Sequence, residues 1–164
     1  MQKKQKTKNT PTNRKRTLSR LMAIQIFYQY DFLNLERKPQ EIKKDIIENY
    51  TLDSEEDLSS YREKIDEIFL DNLITGFELD AEKIDAGISE FLKGDWSIDK
   101  IDDVTRQILR FSTFELKFML DIPARVVIDE YVDIAASFED MKKTTFVNAT
   151  LDALAKKYRA AEFE

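Results

Sequence analysis

Lys142, Lys143 and Phe146 stand three or four residues apart, so on a helix they share one face. That face is turned by about 100° from the stripe Val147, Leu151 and Leu154, which has the spacing of a buried surface. An aromatic ring between two ammonium groups suits a base stacked on the ring while the lysines hold phosphates. The same spacing also fits a Phe146 seated at the edge of a core, and the residues alone leave both open. A second basic pair, Arg16 and Arg20, is four residues apart and projects from one side of a helix start.

Other chemistries are poorly served. The chain has no histidine and no cysteine. Thiol nucleophiles, disulfides, histidine-dependent triads and zinc or haem ligation are therefore absent. Three glycines and three prolines cannot write a dinucleotide fingerprint or a phosphate-cradling loop. Asp102 and Asp103 are adjacent but read as the charged start of a helix, with an ion pair from Asp102 to Arg106. Glu115 falls on an apolar helix side, where a buried acid needs a hydrogen-bonding or charged partner. Nothing in the pattern resembles an active site, a metal site or a cofactor site, and we expect no enzyme and no cofactor.

The net charge of −6 hides an asymmetry. Residues 1–30 carry +8 with no acidic side chain, whereas the remainder holds 18 basic and 32 acidic residues, a charge of −14. A basic arm on an acidic body is a layout found where the arm meets a polyanion; a solvated tail has the same composition. Behind the arm there is no apolar segment of a secretion signal, and no run approaches a membrane span, so we expect a cytoplasmic protein with no membrane partner.

The elements that must position these side chains are helical. Residues 1–12 have nothing to bury and are expected to form a disordered basic arm. From Asn13 to about Leu33, Leu21, Ile24 and Tyr28 recur at helical spacing, and a short second helix follows Pro39 and ends near Tyr50, with a loop from Thr51 to Ser54. A third helix is expected from Ser54 through Ile65 and Phe69 to Leu73, ended by Gly76, and a fourth carries Ile84, Ile88 and Phe91 up to a cap at Gly94. The segment Asp102–Leu120 is apolar around most of its circumference, as in a helix surrounded by others. Pro123 opens the next helix, with Val127, Tyr131, Ile134 and Phe138 at four, three and four, and the last helix repeats that rhythm from Val147 to Tyr158. The expectation is an all-α bundle of about seven helices, one domain over residues 13–164 with halves of about 13–76 and 77–164.

Four blocks of this pattern carry a resemblance. Arg20-Leu21-Met22-Ala23-Ile24-Gln25-Ile26-Phe27-Tyr28 resembles the Arg-Glu-x-Ala-Leu-Gln-x-Leu-Tyr signature of the NusB family of bacterial transcription antitermination factors. Leu109-Arg110-Phe111 with Phe114-Glu115-Leu116 is similar to its Leu-Arg and Tyr-Glu-Leu elements. Ile122-Pro123-Ala124-Arg125-Val126-Val127-Ile128-Asp129-Glu130 and Phe146-Val147-Asn148-Ala149-Thr150-Leu151-Asp152 resemble the family's Val-Pro-x-Lys-Val-x-Ile-Asn-Glu and Phe-Val-Asn-Gly-Val-Leu-Asp.

The resemblance implies a fold of two small helical bundles and binding to the boxA element of nascent ribosomal RNA, as a single strand, together with NusE, a small-subunit ribosomal protein, within the transcription elongation complex. Transferred residue by residue, the RNA-binding set is Lys15, Arg16, Arg20, Tyr28, Lys142, Lys143 and Phe146. The chain departs from the family at Thr17, Leu21, Glu139 and Ala149, and carries Lys142-Lys143 where an acidic–serine pair is customary. Two other readings fit the helices: an adaptor that binds protein and no RNA, and an accessory domain of a ribosomal RNA methyltransferase system, which calls for a glycine-rich cofactor domain after residue 164.

Overall fold

The helical spacing becomes helix wherever the computed structural model describes the chain, which it does for residues 11–33, 36–53, 62–94 and 96–164. Among these residues there are six α-helices, two short 3-10 turns and no strand. The helices are α1 (Pro11–Phe32), α2 (Pro39–Asp53), α3 (Glu67–Ser89), α4 (Asp103–Phe118), α5 (Ala124–Phe138) and α6 (Met141–Tyr158). The 3-10 turns are Ile98–Lys100 and Ala160–Phe163. None of these helices is long and apolar enough to cross a membrane.

Several boundaries differ from expectation. Helix α1 starts at Pro11, so the last two residues of the expected disordered arm are helical; the rest of the arm lies outside the described residues. Proline suits this first turn because its missing N–H has no partner there in any case. Helix α2 continues to Asp53, through the expected loop. The expected start of the third helix at Ser54 lies outside the described residues, but the chain turns after Arg62 and a new helix opens at Glu67. Asp66 is its cap, accepting a hydrogen bond from Phe69 N at 3.0 Å.

Helix α3 then runs through Gly76, joining two segments expected to be separate helices. A Cβ on residue 76 would stand 2.2 Å from Phe114 Cζ. The glycine therefore serves a close helix approach rather than a stop. The helix bends at Asp80 (φ −125°, ψ 16°), whose carboxylate holds Lys117 Nζ at 2.9 Å. It ends at Ser89, short of the expected cap: Gly94, at φ +68°, lies in the turn beyond.

The described residues pack as two units, divided after Ile74. In the first, Met22, Ile26 and Phe27 of α1, Ile42 and Ile47 of α2, and Phe69, Leu70 and Leu73 of α3 are buried. In the second, α4 packs with α5 and α6, and ten of its 16 residues are buried. One of these is Glu115, and the phenol of the fully buried Tyr131 donates to its carboxylate, supplying the partner that the sequence demanded.

The end of α4 is closed by a residue that sequence reasoning passed over. Buried Arg159 donates to the carbonyls of Leu116 at 2.6 Å, Met119 at 2.8 Å, Ile122 at 2.9 Å and Glu115 at 3.2 Å. Leu116 lies in the last turn of α4, where a helix leaves carbonyls without internal partners, whereas Glu115 and Met119 also accept from Met119 N and Ile122 N. The Arg159 guanidinium also holds Glu162 at 2.8 Å, and Glu162 accepts from Ala124 N at 3.1 Å at the start of α5. Both bonds hold the Glu162 carboxyl below its usual range, the Ala124 N–H first and the Arg159 bonds second.

Candidate nucleic-acid interface

The start of α6 is pinned by its cap. Asp140 accepts from Lys143 N at 2.8 Å, and Thr144 Oγ1 donates back to the Asp140 carbonyl at 2.9 Å. With the first turn set, Val147, Thr150, Leu151 and Leu154 turn inward while Lys142, Thr145, Phe146 and Ala149 face solvent. Phe146 is 38% exposed, at the rim of the buried stripe and on the same outer face as Lys142. Lys142 makes no ion pair among the described residues.

Lys143 is differently placed. Its Nζ lies 3.4 Å from Asp102 at the start of α4 and 3.4 Å from Glu139 at the end of α5. Glu139 also accepts from Thr105 Oγ1 at 2.9 Å. The neighbouring Asp102 carboxylate, and then Glu139, raise the Lys143 ammonium above its usual range. Burial pushes the Asp102 carboxyl up, but the bonds from Thr105 and the charge of Lys143 outweigh it and hold this acid below its usual range. Asp102 is thus a cap for Thr105 N and a partner of Lys143; Arg106 pairs with Asp103 at 3.1 Å, not with Asp102 as expected. Phe138, which follows the buried rhythm of α5 in sequence, is exposed with Met141 at the α5–α6 connection. Its position directly before the polar pair Glu139-Asp140 was the available signal that the helix had left the core.

The start of α1 belongs to the other unit. Lys15 is exposed and Arg16 half-buried, whereas Arg20 is only 3% exposed. The guanidinium carbons of Arg16 and Arg20 lie 4.9 and 5.0 Å from the centroid of the Phe69 ring. Arg16 Nε also stands 3.8 Å from Asp66. Ser19 fastens the same corner, donating to the Lys15 carbonyl at 2.7 Å and accepting from Asp66 N at 2.9 Å. Tyr28, two turns further along α1, is exposed. The sequence thus placed the two arginines correctly on one side of α1, and that side is stacked on an aromatic ring.

Within each unit the chemistry on offer is cationic and aromatic. Among the described residues no group of acidic side chains converges to hold a metal ion.

The chain belongs to the NusB family, which it matches over residues 17–156. That places it among transcription antitermination factors and not among enzymes. The transcription antitermination protein NusB of Bradyrhizobium diazoefficiens is 33% identical over 149 residues, covering 91% of this chain and 88% of that protein. Among solved structures, NusB of T. maritima is similar with a TM-score of 0.72 and 28% identity, over 90% of this chain and 95% of that one. A chain in the crystal structure of the antitermination factors NusB and NusE in complex with double-stranded RNA is similar with a TM-score of 0.68 and 27% identity, over 87% of this chain and 96% of that one.

Proposed function

We propose that this protein is a cytoplasmic RNA-binding antitermination factor that recognises a boxA-like element of nascent ribosomal RNA together with NusE, within the transcription elongation complex. The observation that carries this reading is the outer face of α6, where an exposed Phe146 stands beside a Lys142 that makes no ion pair among the described residues, on a helix start fixed by its cap. A ring open to solvent can accept an unstacked base, which a single strand offers and a duplex does not. Likeness to a chain seen with NusE and double-stranded RNA supports NusE and RNA as partners, and the choice of a single strand rests on the open ring. On α1, Lys15, Arg16 and Tyr28 supply further contacts, with Arg20 contributing through the Phe69 stack that holds Arg16. On α6, Lys143 contributes from its pair with Asp102 and Glu139. The acidic remainder of the chain suits a basic protein partner.

The test is binding of a boxA-like RNA with and without NusE. The proposal expects RNA affinity that falls steeply with salt, since roughly 0.7 counterions leave per phosphate contact on a single strand, and that rises when NusE is present. Binding of NusE with no RNA affinity in either condition would support the protein-binding adaptor instead.

A further inference from the structure

Beyond α3 the chain makes a small exposed platform. Trp96, the single tryptophan, is 60% exposed. A turn brings it back over the preceding residues, Trp96 N donating to the Lys93 carbonyl at 3.4 Å, and a second turn follows, with Lys100 N donating to the Ser97 carbonyl at 3.0 Å. Lys93, Gly94, Trp96 and Lys100 line an open hollow of about 540 Å³. At Gly94 the place of a side chain is empty, with no atom within 4 Å, which leaves the hollow unobstructed on that side. An exposed indole in one hollow with two exposed lysines offers the same groups as the outer face of α6: a ring for a base and ammonium groups for phosphate.

The platform is tied to that face. Arg106 of α4 donates to the carbonyls of Ile98 at 3.1 Å and Ile101 at 2.9 Å, fixing the 3-10 turn on the start of α4. Asp102 at that start holds Lys143 of α6 at 3.4 Å. Trp96 and Asp102 are six positions apart, a reach of at most about 20 Å even if fully extended. At the start of α4 Asp102 is answered by Lys143 and Asp103 by Arg106, while Asp99, in the 3-10 turn beside Trp96, is exposed.

We propose that Trp96, with Lys93 and Lys100, is a second stacking site for single-stranded RNA, continuing the path of a strand that lies across Phe146 and Lys142. This rests on the RNA-binding reading of α6 and extends it to residues outside the set transferred from the family. The occupant is a flanking nucleotide of the same RNA, since one strand can engage both places only if it is long enough.

The lone tryptophan reports directly on its own site. The full chain is titrated with a boxA RNA and with the same RNA extended by four adenylates at its 5′ or its 3′ end, following Trp96 fluorescence and, by anisotropy, affinity. One extended RNA should quench Trp96 and bind more tightly than the unextended RNA. Trp96→Ala should remove that gain, roughly tenfold, while leaving affinity for the unextended RNA unchanged. Lys93→Ala should reduce the gain and its salt dependence together. Extended RNAs that bind as the short one does, with unchanged fluorescence, would overturn the second site and leave the α6 reading standing. Quenching by AMP alone at the same concentration would assign the hollow to free nucleotide and overturn the continuous path. No binding of any RNA, with or without NusE, would overturn both. Melting of Trp96→Ala at the wild-type temperature shows that the exposed ring supports no fold, so that its effect is read as binding.

Discussion

The starts of α1 and α6 read almost alike in sequence, basic residues spaced with aromatics on a helix face, yet the two differ in the direction their cations face. At α1 the guanidinium groups of Arg16 and Arg20 stack on Phe69, and Arg20 is buried. At α6 the aromatic itself is exposed, Lys142 makes no ion pair among the described residues, and Lys143 is drawn inward by Asp102 and Glu139. A cation on a ring that is already part of a core stabilises the fold; a cation beside a ring that faces solvent is available to a ligand. Residue type and spacing are common to both regions, and burial separates their roles.

The largest effect expected from this contrast is at the ring beneath the arginines. Phe69→Ala should lower stability by about 3–5 kcal/mol, because it empties a core position and strips the support from two guanidinium groups. Chemical denaturation measures it, and a loss below about 1 kcal/mol would show that the stack is incidental. Arg20→Ala should cost about 2 kcal/mol, the scale of a desolvated cation–ring contact, with the helical spectrum unchanged at low temperature. An Arg20→Ala protein that melts as wild type does would move this arginine from the fold to the RNA surface.

Charge at α6 gives smaller effects. The Asp102 carboxyl lies below its usual range in the folded protein, so its contribution is complete above the ordinary carboxylate range and is lost as pH falls through its folded value. Asp102→Asn should therefore flatten the acid side of the stability profile, visible as melting temperatures that converge with wild type at low pH. Smallest of all, Glu139→Gln removes one of the two acids on Lys143 and should raise RNA affinity slightly while steepening its salt dependence. A fall in affinity would mean that Glu139 orients Lys143 for RNA rather than competing with it.

Much of the fold was legible because its causes are local. The cap at Asp102, the break at Pro123 and the inward stripe from Val147 to Leu154 are all written in short-range patterns. What escaped depended on distant residues. Gly76 reads as a helix stop until Phe114 occupies the space its side chain would take. Asp66 caps α3 inside a run whose apolar spacing had suggested an unbroken helix, and its own N–H is held by Ser19, 47 positions earlier. Arg159 looks like one more cation near a helix end, and only the fold brings four carbonyls to it. The site followed the same division: the shared face of Lys142 and Phe146 could be read from spacing, whereas the burial of Arg20 required Phe69, 49 positions away, and the pairing of Lys143 required Asp102, 41 positions away, beside the nearby Glu139.

The contrast between the two helix starts is tested most directly by measuring melting temperature and boxA RNA affinity on the same samples of Phe146→Ala and Arg20→Ala. The account predicts that Phe146→Ala loses about 1–3 kcal/mol of RNA affinity and melts within a few degrees of wild type, whereas Arg20→Ala loses stability and, at a temperature well below its melting, keeps more of its RNA affinity than Phe146→Ala does. The reverse pattern, a destabilised Phe146→Ala with normal affinity and a stable Arg20→Ala that no longer binds RNA, would contradict it.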